Sequence, residues 1–146
     1  MIFCDTSLLL SLYVQDRWSK KATALVNEHR QPLAWTAWHQ LELMAASKAR
    51  AGRGLASRVE VTRIRARLQL HRQSGFLRQV APDSWHEVFE GGWQLACDHG
   101  ARFLNRGMDI LHVSLCLTLG IHTFWTMDAR QHQLAQETGL TVNPLK

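Results

Sequence analysis

The stretch MDILHVSLCLTLGIHTFWTMD, residues 108–128, decides the fold class. Residues 108–120 are mostly apolar and end on Gly120, a residue suited to stopping a helix. Residues 121–128, IHTFWTMD, carry the aromatic and β-branched side chains of a buried strand, and the strand ends on Asp128. The same alternation extends outward in both directions. Met1 to Cys4 reads as a short buried strand, QPLAWT (31–36) as a second with Pro32 at its entry, FLRQVAP (76–82) as a third, and LTVNPL (140–145) as the last. Between them helices are expected over 19–30, from an N-cap at Thr36 to near Gly52, and over 55–73. Further helices are expected from an N-cap at Asp83, with Gly91 and Gly92 as a weak spot, and from Ala129 to the stop at Gly139. Strands alternating with helices predict an α/β fold with a mainly parallel sheet of four to five strands.

The 146 residues suffice for one domain with a real core, and no repeat, linker or low-complexity segment divides them. The charged fraction is 20% and the hydrophobic fraction 46%, ordinary for a globular protein. The formal net charge of +5 favours polyanionic partners. Cys4, Cys97 and Cys116 are odd in number and contain no CxxC, which argues against a disulfide framework or a zinc ribbon. They read as small buried hydrophobes in a reducing compartment. The first residues lack a basic n-region, and Asp5 interrupts their apolar run, so they do not read as a signal peptide. No apolar stretch has the length of a membrane span, and a cytoplasmic protein is expected.

In a parallel sheet all strands end at one edge, and ligands collect outside it. Four acids map there. Asp5 ends the first strand, Asp128 ends IHTFWTMD, Glu42 sits early in the helix after QPLAWT, and Asp109 opens the helix of 108–120. Glu42 shares a helical face with Trp38, Leu41 and Ala45, and Asp109 shares one with Val113 and Cys116. These are expected to be core-facing stripes, where an unpaired charge is costly. Singly, each acid is an ordinary cap, turn or surface residue. Together they need a cation, and carboxylates without a His or Cys set suit Mg²⁺ or Mn²⁺ better than Zn²⁺.

At this point the sequence resembles the PIN-domain ribonucleases, in particular the VapC-type toxins of bacterial toxin–antitoxin pairs. The resemblance rests on Asp5-Thr6-Ser7 after an apolar strand, LEL around Glu42, MDILHVSLCLTLG around Asp109, and TMDARQHQLAQETGLTV around Asp128. It covers nearly the whole chain, and only residues 51–75 carry no motif. It implies a single nuclease domain over 1–146, with a three-layer α/β/α architecture. It also implies a metal-dependent endoribonuclease, homodimerisation, and an antitoxin that covers the active site. By resemblance, Asp5 and Asp109 ligate Mg²⁺ or Mn²⁺, Asp128 and Glu42 complete the site, and Thr126 orients a carboxylate or water. Thr6 has the same role by resemblance, and Arg130 is a candidate contact for the scissile phosphate.

Setting the four acids aside leaves eight others against 17 Lys and Arg, so the remaining surface is strongly basic. Its densest stretch, residues 48–72, holds Lys48, Arg50, Arg53, Arg58, Arg63, Arg65, Arg67 and Arg72 against Glu60 alone. Arg63 and Arg67 are candidate RNA contacts; a solvated face or a face for an acidic protein explains the same pattern. His112, three residues after Asp109, is expected to be a core histidine, and His39 to pack or cap. Most of the six tryptophans are expected in the core or in an oligomer contact. The apolar segments LLLSLYV and ATALV are expected to form a seam for a second copy or a partner segment. Two alternatives share the same acids or fold: a PIN-domain RNA-processing enzyme that is no toxin, and an inactive RNA- or protein-binding module.

Overall fold

A computed structural model describes residues 1–143. Pro144 and Leu145, the end of the expected last strand, lie outside the described residues. The chain is mixed α/β and divides into two compact units, one of Met1–Asp5 with the chain from Val80 onward, the other of Thr6–Gln79.

In the first unit a parallel sheet is ordered β1(Phe3–Cys4), β4(Thr123–Trp125), β5(Thr141–Val142). Phe3 pairs with Phe124 and Cys4 with Trp125, so β1 and β4 end side by side. The Asp5 amide continues the ladder by donating to the Trp125 carbonyl at 2.9 Å. Helices α5(Trp85–Phe103), α6(Gly107–Thr118) and α7(Ala129–Glu137) complete the unit. Phe3, Cys4, Val113, Leu115, Cys116 and Phe124 are fully buried. This is the apolar set that α6 and the two inner strands supply, and its burial is the main stabilising term.

Two local expectations change here. The cap of α5 is Ser84, not Asp83: the Ser84 hydroxyl accepts from the Glu87 amide. The helix also runs unbroken through Gly91 and Gly92. These glycines serve packing, because a Cβ on Gly91 would stand 2.7 Å from the Ser114 hydroxyl oxygen of α6. That hydroxyl in turn donates to the Val88 carbonyl at 2.6 Å.

In the second unit β2(Leu33–Trp35) and β3(Leu77–Gln79) form a parallel pair, Leu33 opposite Leu77. Its helices are α1(Thr6–Ser11), α2(Ser19–His29), α3(Ala37–Gly52) and α4(Arg58–Gln73). Thr36 caps α3 as expected: its hydroxyl accepts from the His39 amide, while the His39 ring accepts from the Thr36 amide at 3.1 Å. Ser57 and Glu60 form the same reciprocal pair at the start of α4. The strands are thus parallel throughout, as expected, but they lie in ladders of three and two.

The buried stripe of α3 is His39, Leu43 and Ser47. Leu41 and Ala45, expected to share a core face with Glu42, are exposed, and Glu42 itself is half-buried. The stripe is rotated because the His39 cap bonds and the i+4 spacing to Leu43 and Ser47 fix the inward face. The apolar seam expected from LLLSLYV and ATALV is largely covered. Leu8, Leu9, Tyr13, Ala22 and Leu25 are buried, and no large apolar side chain of those segments is exposed. Cys97, expected in the core, is exposed, whereas Cys4 and Cys116 are buried; all three are free thiols. Among the described residues no helix is long and apolar enough to cross a membrane.

Candidate functional site

Thr126 is the hub of a buried polar cluster at the carboxyl ends of β1 and β4. Its hydroxyl oxygen lies 3.0 Å from Asp5 Oδ2 and 2.8 Å from Gln131 Oε1, and it accepts from the Asp128 amide at 3.0 Å. Thr126 is fully buried and Asp5 is 5% exposed. A carboxylate that deep is tolerated only when hydrogen-bonded or neutralised. The Thr126 backbone is held in turn by Asn143, whose Oδ1 accepts from the Thr126 amide and whose Nδ2 donates to the Thr126 carbonyl, at 2.8 and 3.0 Å. His132 Nε2 meets the Asn143 carbonyl at 2.7 Å.

Asp128 caps α7. Its Oδ1 accepts from the amides of Arg130 and Gln131 at 2.8 and 3.0 Å. These two bonds satisfy amides at the helix start that have no partner within the helix. Asp109 is the third residue of α6 and reaches back to its cap, Oδ2 accepting from the Arg106 amide at 3.2 Å. Gln131 joins the two ends of the cluster: its Nε2 donates to the Asp109 carbonyl at 3.0 Å. Asp5, Thr126, Asp128, Gln131 and Asp109 therefore form one connected network in the first unit.

Glu42 belongs to the second unit. There Thr6 donates its hydroxyl to Glu42 Oε2 at 2.6 Å, a short charge-assisted bond. His112 is buried and meets Phe3 edge to face at 5.9 Å, a core histidine as expected. The Arg130 guanidinium donates to the Leu104 carbonyl at 3.3 Å. Arg67 donates to the Leu12 carbonyl at 3.0 Å and lies 5.1 Å from the Tyr13 ring, so much of its bonding capacity is spent within the protein. Arg63 is exposed. Trp35 and Trp125 are buried, whereas Trp93 is 70% exposed.

Burial pushes the Cys4 thiol well above its ordinary range, and the neighbouring Asp5 charge and Cys116 add to this. Cys4 therefore stays protonated and is no nucleophile.

Sequence reasoning missed Gln131 and Asn143. A signal existed for the first: Asp128-Ala-Arg-Gln131 has the D-x-x-Q spacing of a capping box. The glutamine side chain turns instead to Thr126 and Asp109. Asn143 carries no comparable pattern.

The carboxylates of Asp5, Asp109 and Asp128 are oxygen ligands, a type that suits a hard dication such as Mg²⁺ or Mn²⁺. Among the described residues no three His, Cys, Asp or Glu side chains stand together as a ready metal-ligating group. The chain matches no protein-family model and no curated protein.

Proposed function

We propose that this protein is a Mg²⁺- or Mn²⁺-dependent endoribonuclease of the PIN type, with the three-layer α/β/α architecture of that family. We further propose that it is a cytoplasmic toxin held in check by an antitoxin, acting as a homodimer. The observation that supports this reading is the buried Asp5 carboxylate tied through Thr126 and Gln131 to Asp128 and Asp109. Burying a carboxylate at a strand end costs free energy, and a bound cation would offset that cost.

In this reading Asp5 and Asp109 hold the metal, and Asp128 completes its surroundings directly or through water. When bound, the ion supplies a water of lowered pKa and stabilises charge on the leaving oxygen of the phosphodiester. Thr126 fixes the orientation of the Asp5 carboxylate. Thr6 does the same for Glu42 through its 2.6 Å bond. Arg63 and its neighbours on α4 attract the RNA backbone, and Arg130 meets a phosphate only after releasing the Leu104 carbonyl.

The test is cleavage of a mixed RNA pool by the purified protein with Mn²⁺, Mg²⁺ or EDTA. Cleavage is expected with either metal and is expected to disappear in EDTA, in Asp5→Asn and in Asp109→Asn, with helicity by circular dichroism retained. Undiminished cleavage by both folded variants would overturn the reading. Growth arrest on expression, relieved by co-expressing a small adjacent gene product, separates a toxin from an RNA-processing enzyme. The lack of a ready three-ligand group among the described residues favours a second reading, a binding module without catalysis. That reading expects RNA or protein binding that survives EDTA and both substitutions.

A further inference from the structure

Within the second unit, α3, α4 and β3 enclose an open groove of about 860 Å³, a size at which pockets hold sizeable ligands. Its floor is apolar: Trp35, Leu68 and Leu77 are buried there. Its walls are polar. From α4 come Arg65, Gln69, Arg72 and Gln73, at the three- and four-residue spacing that puts them on one side of the helix. Gln40 of α3 and Gln79 of β3 face the same space. Among the described residues no aspartate or glutamate lines it.

The bonding capacity of these walls is largely unspent. Arg72 donates to Gln79 Oε1 at 3.4 Å, which ties α4 to β3 and leaves the Gln79 N–H donors for a ligand. Gln40, Arg65, Gln69 and Gln73 are exposed, and their side chains bond to none of the described residues. Arg67 of the same helix, outside the groove, is by contrast engaged with Leu12 and Tyr13. A face that serves solubility alone mixes charges of both signs. This one combines four amides with two guanidinium groups. An amide offers a donor and an acceptor side by side, the complement of a nucleobase edge. A guanidinium matches a phosphate. An acidic peptide calls for cations and has no need of four neutral amides.

Resting on the RNA-directed function above, we propose that this groove reads the sequence of single-stranded RNA. The amides of Gln40, Gln69, Gln73 and Gln79 bond to base edges, and Arg65 and Arg72 hold the phosphates between them. The strand is single because base edges are open to side chains only where the bases are unpaired.

The experiment selects a randomised pool of RNAs, each of about 12 nucleotides, for binding to the full chain in EDTA, where no cleavage intervenes. Wild type, the double variant Gln69→Ala/Gln73→Ala and Arg65→Ala are compared, with melting temperatures measured to establish that each is folded. Wild type is expected to bind its selected sequences about tenfold tighter than the pool average, the value of one paired base edge. The double glutamine variant is expected to lose that preference and keep its affinity for the average sequence. Arg65→Ala is expected to weaken all sequences alike and to lower the salt slope by roughly 0.7. An unchanged preference in the double glutamine variant overturns the proposal. So does polyglutamate that displaces the selected RNA and depends on Arg65 but not on the glutamines, the signature of a face for an acidic protein. Cleavage with Mn²⁺ separates the two readings. If wild type cleaves RNA but binds every sequence alike, the groove falls and the nuclease stands. If it binds with preference and never cleaves, the groove stands and the nuclease falls.

Discussion

At the scale of single residues, Thr126 is where one hydroxyl governs most. Thr126→Val keeps its shape and removes the hydroxyl that the Asp128 amide, Gln131 Oε1 and Asp5 Oδ2 meet. The cost is expected to be about 1–3 kcal/mol, the penalty for an unsatisfied buried polar group. Thr126→Ser, which retains the hydroxyl, is expected to recover most of it; urea denaturation of the two variants provides the comparison. His71 carries a pH dependence. Its Nδ1 meets the Tyr13 hydroxyl at 2.7 Å, and burial, reinforced by the Arg67 charge, lowers its pKa from the ordinary 6.5. The unfolded chain then takes the proton first as pH falls. The contribution of His71 is complete above about 6.5 and is lost as pH drops through that value toward the folded pKa. Asp16 acts lower still. Burial opposes its ionisation, yet bonds from Ser11, Trp18 and Ser19 outweigh this and hold its pKa below 3.8, so its contribution fades only in stronger acid. The urea midpoint is expected to decline between pH 7 and 5, less steeply in His71→Asn. Equal slopes in both proteins would remove His71 as the cause.

Among the elements, α5 and α6 show how a glycine's role depends on its neighbour. Gly91→Ala places a Cβ 2.7 Å from the Ser114 hydroxyl, which is itself anchored to Val88, so the close approach of the helices must open. Gly100→Ala, in the same helix with open space around it, gains helix propensity of roughly 1 kcal/mol. The two substitutions are therefore expected to move the melting temperature in opposite directions, and Ser114→Ala is expected to rescue Gly91→Ala. On α4, Arg63 and Arg67 also differ. Arg63→Ala is expected to leave stability alone and to flatten the salt dependence of RNA binding in EDTA by a slope of roughly 0.7, one phosphate contact. Arg67→Ala removes the bond to Leu12 and the contact with the Tyr13 ring, and is expected to destabilise the fold by about 1 kcal/mol.

Over the whole molecule, buried thiols and a basic surface set the solution behaviour. Cys4 and Cys116 are buried, and burial pushes the Cys116 thiol up to about 12, while Cys97 is exposed. A thiol reagent is expected to label Cys97 alone in the native protein and all three cysteines in denaturant. Labelling of Cys4 or Cys116 under native conditions would contradict their placement. The formal charge of +5 is carried largely by the exposed arginines of α4, which suits a polyanionic partner.

The sequence by itself determined the α/β alternation, the parallel strand pairing, the Thr36 cap and the positions of Asp5, Asp109 and Asp128 at element ends. Those properties come from hydrophobic period and turn chemistry, which act over a few residues. It did not determine which face of α3 turns inward, the close packing at Gly91, or the exposure of Cys97, because each depends on what the neighbouring element presents. Nor did it reveal Gln131 and Asn143. Thr126 and Asp5 are 121 residues apart in the chain and meet only through the β1–β4 register, and a one-proton hydroxyl shared by two acceptors exists only once that register is set.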